Sequence, residues 1–256
     1  MPGFVSHTVM AKDVYKRINN KNVNLDYMVT YSLGGDLTKY SKCRYNTHHK
    51  DRDKFIYYLA DYIKNNNLTN DSELMGVLYG HICHYVMDDI IHPLVRKIDK
   101  ECIKDKHNHT LIEEYYDTYL VKLRYMTQKR KYLSLNKLNG SVNKKISKML
   151  DYGYTNVYHT KNIGMYYKFN LLLYRLLRKL YLIFDIDKIS GLNKFLNKNY
   201  NIDLYNDNNI ISYNDYLGYK CSDSLSELYS DSINIACEYI DKIDKYLTNV
   251  HFYDNI

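Results

Sequence analysis

The stretch SELMGVLYGHICHYVMDDIIHPLV, residues 72–95, decides the fold. Over residues 72–91 apolar and aromatic side chains fall on most faces of an α-helix, the pattern of a helix buried inside a bundle. Proline restricts the residue before it and has no amide to donate, so Pro93 is expected to end or bend this helix. Within the run, His84, Asp88 and His92 stand at i, i+4 and i+8. Each step advances about 40° round the helix, so all three project from one side. Buried carboxylates are costly unless paired or metal-bound, and Asp88 and Asp89 in such apolar surroundings ask for a cation.

Outward from this element the chain reads as more helix. Val9, Met10, Val14 and Ile18 share one face of a helix over residues 8–18, and Phe55, Leu59, Tyr62 and Ile63 share one over 50–64. The polar run NNNLTND closes that second helix and caps the next. Further helices are expected at about 110–129, 164–184 and 223–247. The charged segment KIDKECIKDKHN reads as a linker, residues 128–148 as a polar, basic stretch, and 186–220 as irregular with room for a short helix. Gly34 and Gly35 interrupt the periodicity of TYSLGGDLTKYSKCRYNTHH and suggest a loop carrying Asp36.

Composition agrees. Hydrophobic residues make up 45% of the 256, enough for a sizeable core, and two prolines with ten glycines leave little turn punctuation for a many-stranded sandwich or barrel. The expected fold is all-α, a helical bundle forming one domain over residues 1–256. Five cysteines, at 43, 83, 102, 221 and 237, make no CxxC pair and are odd in number, so free thiols are expected and neither a disulfide framework nor a thiolate zinc site. The first residues lack the basic start and apolar run of a secretory signal, and no uncharged apolar stretch is long enough to span a bilayer. A cytoplasmic location follows as an expectation. The net charge of +7 favours anionic partners such as phospholipid surfaces, nucleotides or nucleic acid, without choosing among them.

Eight of the ten histidines lie between positions 7 and 109. Besides the triplet on the central helix, His109 and Glu113 form another i, i+4 pair at the start of the next helix. Packing the two helices together would bring five nitrogen and oxygen ligands into one pocket, as helical bundles build metal sites. Imidazole and carboxylate without cysteine suit Zn²⁺ in a catalytic role, where one coordination position stays open for water. Iron or manganese bundles prefer Glu-x-x-His pairs, which this chain lacks. The plainer reading of one His and Asp pair is a hydrogen-bonded core, and two such pairs on adjacent helices weigh against it.

The segments FVSHTVMAKDV, LGGDLTKY, HHKDRDKF, GHICHYVMDDIIHPLV, HTLIEEYYDTYL and SDSLSELYSDSINIACEYI, in that order, resemble the zinc-dependent phospholipase C family, which shares its fold with the single-strand-specific zinc nucleases. The likeness runs through nearly the whole chain and is strongest over residues 4–120. It implies two or three zinc ions. Asp36, His48, His84 and Asp88 would hold the first, with His48 favoured over His49 by its seven-residue distance from Phe55. His92, His109 and Glu113 would hold the second. His7 and the amino terminus would hold the third, with Asp88 bridging to it. Secreted members of that family expose a tryptophan amino terminus whose amine and carbonyl bind zinc, whereas this chain starts Met-Pro-Gly and contains no Trp.

Clustered zinc ions would neutralise a phosphodiester and activate a water, and Asp36 is the candidate to orient or deprotonate that water. Lys168, Arg175, Arg178 and Lys179 gather near one side of the helix over 164–184, an arrangement that can lie on an anionic membrane and that also fits a core helix with a solvated stripe. Three functions stay open on the residues. They are a phospholipase C-like hydrolase, a zinc nuclease or nucleotidase, and a non-catalytic helical interaction protein stabilised by zinc.

Overall fold

The computed structural model describes residues 4–38, 50–102, 109–184 and 221–248. They form nine α-helices and one 3-10 turn, with no strand among them, so the fold is all-α. In chain order these are α1 (Phe4–Arg17), α2 (Leu25–Tyr31), the 3-10 turn Gly34–Thr38, α3 (Arg52–Asn65), α4 (Ser72–Cys102), α5 (His109–Tyr125), α6 (Lys129–Leu135), α7 (Lys144–Tyr158), α8 (Ile163–Phe184) and α9 (Cys221–Thr248). None of the described helices is long and apolar enough to cross a membrane.

α4 is the central helix, and α1, α2, α3, α5 and α9 all pack on it. Leu74, Val77, Leu78, Ile82, Met87 and Ile91 are buried round its circumference, each aliphatic side chain contributing about 1.5–3 kcal/mol by leaving water. Its start is capped by Asp71, whose Oδ1 accepts the amides of Glu73 and Leu74. Gly76 and Gly80, one turn apart, let α2 approach closely. A Cβ at Gly76 would stand 2.6 Å from the Asn24 carbonyl oxygen, and one at Gly80 2.7 Å from that of Met28. This close approach sets where the chain leaves α2, and so where Ser32 and the 3-10 turn meet α4.

Pro93 does not end α4, which continues to Cys102. The missing amide would have reached the carbonyl of Asp89, and both residues are exposed, so water can take that bond. The segment 97–108 is correspondingly helical as far as Cys102, and residues 103–108 lie outside the described ones. The polar stretch 128–148 holds α6 and the first turn of α7. In α7 the residues Ile146, Met149, Leu150, Gly153 and Tyr154 repeat at helical spacing and are buried, behind an Asn143 side chain that accepts the Ile146 amide at 3.1 Å. Residues 186–220 lie outside the described residues. Cys83 and Cys237 are free thiols.

One histidine of α4 belongs to the core. His81 Nδ1 donates to the Val77 carbonyl at 2.9 Å, so Nε2 carries a lone pair and accepts from the Tyr167 hydroxyl at 2.8 Å. Tyr154 in turn donates to Tyr167. Burial pushes the His81 imidazole down to about 4. A folded value below the unfolded one means that stability is full above about pH 6.5 and is lost as pH falls toward 4. We expect unfolding free energy to fall by about 1.4 kcal/mol per pH unit through this window on account of His81 alone. His81→Gln should flatten that part of the slope in denaturant titrations between pH 6.5 and 4.5. An identical slope in the variant would rule out His81 as the buried titrating group.

Candidate metal centre

His7 sits in the first turn of α1, where the leading amides have no partner within the helix. Asp117 of α5 supplies one. Its carboxylate accepts the Ser6 amide at 2.7 Å, the Val5 amide at 3.3 Å and the Ser6 hydroxyl. A buried anion at the positive end of a helix dipole is favourable, and Lys129 Nζ stands 3.9 Å from its other side. Asp117 therefore ties the start of α1 to α5 one turn beyond Glu113, and this tie fixes the position of His7. Sequence reading missed Asp117; the signal was an acidic residue four places after a candidate ligand on an otherwise apolar helix face.

His84 is fixed from two sides. Its Nδ1 lies 3.1 Å from the Ser32 carbonyl oxygen, which can only accept, so Nδ1 carries the proton and Nε2 presents a lone pair. This backbone bond is of the kind that orients metal-binding imidazoles. The ring rests on Gly34, where φ is +42° and where a Cβ would lie 2.3 Å from His84 Cγ and Cδ2. Both the backbone conformation and the ring demand glycine there. Gly34→Ala should push the His84 ring aside, destabilise the fold by about 1–3 kcal/mol and weaken metal binding more than tenfold. A thermal melt and a competitive zinc titration check this, and wild-type affinity in the variant would refute the contact's role.

Asp36 lies in the 3-10 turn, not in an open loop. Its amide donates to the Leu33 carbonyl at 2.9 Å, Thr38 closes the turn on the Gly35 carbonyl, and the Asp36 side chain is only 3% exposed. The freedom that paired glycines suggested is absent, because one glycine is used for the approach to His84. Three ligand atoms, one each from His7, Asp36 and His84, lie within 4.8 Å of one another.

Asp88 faces the two imidazoles with a different oxygen for each. Oδ1 is 3.4 Å from His7 Nε2, and Oδ2 is 3.5 Å from His84 Nε2. The two rings lie tilted at 35° to each other with centroids 4.5 Å apart. These separations exceed the 2.7–2.9 Å or so of a charge-assisted hydrogen bond. They match the edge of a tetrahedron, roughly 3.3 Å, when four ligands surround zinc at about 2 Å. Asp89, by contrast, turns outward and finds its cation in Arg52 Nη2 at 2.5 Å. Of the two neighbouring carboxylates, Asp88 is the one that faces His7 and His84.

One further turn along α4, His92 Nε2 stands 3.9 Å from Glu113 Oε1 of α5. His109 opens α5 one turn before Glu113, and its side chain lies outside the described residues. His48 and His49 also lie outside them.

The donor set fits zinc on an observation of this structure. Both ring nitrogens of His7 are buried, and among the described residues neither makes a hydrogen bond. A buried imidazole is ordinarily bonded through at least one nitrogen. Imidazole and carboxylate donors without cysteine are also the set that suits a divalent cation such as zinc. No protein-family model matches the chain, and comparison with curated proteins and with solved structures finds no similar protein.

Proposed function

We propose that the chain is a zinc-dependent phosphodiester hydrolase of the phospholipase C type, acting on phospholipid head groups. The observation that carries this reading is the convergence of His7, Asp36 and His84, from three separate segments, with ligand atoms within 4.8 Å of one another and with Asp88 facing both imidazoles. The resemblance of the motifs to zinc-dependent phospholipases C supplies the reaction type.

When bound, zinc supplies a Lewis acid for a phosphoryl oxygen and a water whose pKa is lowered to about 7. The chain's own residues do the rest. His7, Asp36, His84 and Asp88 would hold the ion, with Ser32 setting the His84 tautomer and Asp117 the place of His7. The resemblance implies that His92, His109 and Glu113 would hold a second ion. Asp36, buried beside the imidazoles, would orient the attacking water or accept its proton. Exclusion of bulk water strengthens every charge interaction there.

Metal analysis of the purified protein, paired with turnover on phosphatidylcholine and on single-stranded DNA, tests the reading. Zinc with release of diacylglycerol is the expected result. Hydrolysis of DNA alone would assign a nuclease. Zinc without turnover on either would assign a helical protein that keeps its ligands for stability.

A further inference from the structure

We propose that the outward face of α8 is a docking surface for an anionic phospholipid bilayer. α8 packs inward through Ile163, Tyr167 and Leu171, and Asn170 Nδ2 donates to the Leu37 carbonyl at 3.0 Å, so its inner side backs the 3-10 turn that carries Asp36. On an ordinary amphipathic helix the opposite side would be charged. Here Met165, Phe169, Leu172 and Leu176 occupy it, at i, i+4, i+7 and i+11, with 65%, 58%, 65% and 50% of their surfaces exposed. Leu177 extends the apolar surface to one side.

The charges choose the occupant. α8 contains no acidic residue from Ile163 to Phe184. The four basic residues share one side of the helix but divide into two pairs. Arg175 is turned to the chain and bonds the Leu138 and Gly140 carbonyls, and Arg178 bonds that of Leu133. Lys168 and Lys179 are left exposed, about 40–60° round the helix from the apolar line through Met165 and on the same edge of it. An apolar strip about three turns long bordered by lysines is complementary to an interface with acyl chains below and anionic head groups beside them. A protein partner recognising the same strip would have to offer acids along that edge. A bilayer of anionic lipid offers both chemistries at once, and the chain's net charge of +7 adds long-range attraction.

This surface rests on the lipid reading for its purpose, since it would hold the protein where its substrate lies. Its test does not rest on turnover. The full chain is floated with vesicles of phosphatidylglycerol and phosphatidylcholine in equal parts, and with vesicles of phosphatidylcholine alone. We expect binding to the anionic vesicles that weakens in high salt. Leu172→Glu with Leu176→Glu should lower it about tenfold or more, and Lys168→Glu with Lys179→Glu by a similar factor. Both pairs of residues are exposed, so melting temperatures should stay at the wild-type value. No flotation, or flotation that neither double variant reduces, would overturn the proposal. So would a Leu172→Glu, Leu176→Glu variant that melts lower or shifts from dimer to monomer in sedimentation without change in vesicle binding, because the strip would then be covered by the chain itself or by a second copy. Vesicle binding without hydrolysis would leave the docking surface standing and count against the enzyme alone.

Discussion

Asp36→Asn is expected to cut phosphodiester turnover by roughly 10² to 10⁴, the span typical of a lost general base. The substitution keeps the size and shape of a side chain that is buried in the 3-10 turn. It removes the carboxylate's basicity and one negative charge beside His7 and His84. If Asp36 served as ligand alone, activity would follow zinc occupancy and return at saturating zinc. Turnover measured across a zinc titration separates the two roles. A plateau far below wild type at full occupancy is the expected result, and complete recovery would remove Asp36 from the chemistry.

Asp88→Ala should have the larger effect on stability, and the size of that effect should depend on metal. With zinc at about a thousand times its dissociation constant, binding to the folded state alone is worth about 4 kcal/mol. For a chain of this size that is about 10 °C in melting temperature. Chelator should therefore lower the wild-type melting temperature by about that amount, and Asp88→Ala should mimic most of the loss in zinc. In chelator the two proteins should melt closer together, because the wild type no longer gains from bound metal. Parallel thermal melts of both proteins with zinc and with chelator check this, and a wild type indifferent to chelator would refute a tightly held ion.

Much of this was legible before any coordinates. The apolar circumference of residues 72–91 marks a central helix, and i, i+4 spacing places His84 and Asp88 on one face; the structure sets them beside His7 and Asp36. The same rule brings His92 to α5 near Glu113. Three things were not legible. Pro93 reads as an end or a bend, and that the helix runs on through it was not legible, because sequence does not show that Asp89 is exposed. α7 reads as polar, because Lys144, Lys145 and Lys148 obscure a buried repeat that begins only at Ile146. Asp36 reads as exposed, because Gly34 signals a loop. Its glycine is instead demanded by the His84 ring, a contact between residues 50 positions apart that only tertiary packing reveals. Asp117 belongs to the same class, since its role is to receive amides of α1 from the far side of the cluster.

The claim on which the rest depends is that His7, Asp36, His84 and Asp88 hold zinc. Elemental analysis of protein purified without added metal, beside a His7→Ala, Asp88→Ala variant purified in the same way, tests it most directly. Stoichiometric zinc in the wild type and its loss from a still-helical variant is the predicted result. A wild type that carries no zinc, and takes up none when zinc is supplied, would contradict it.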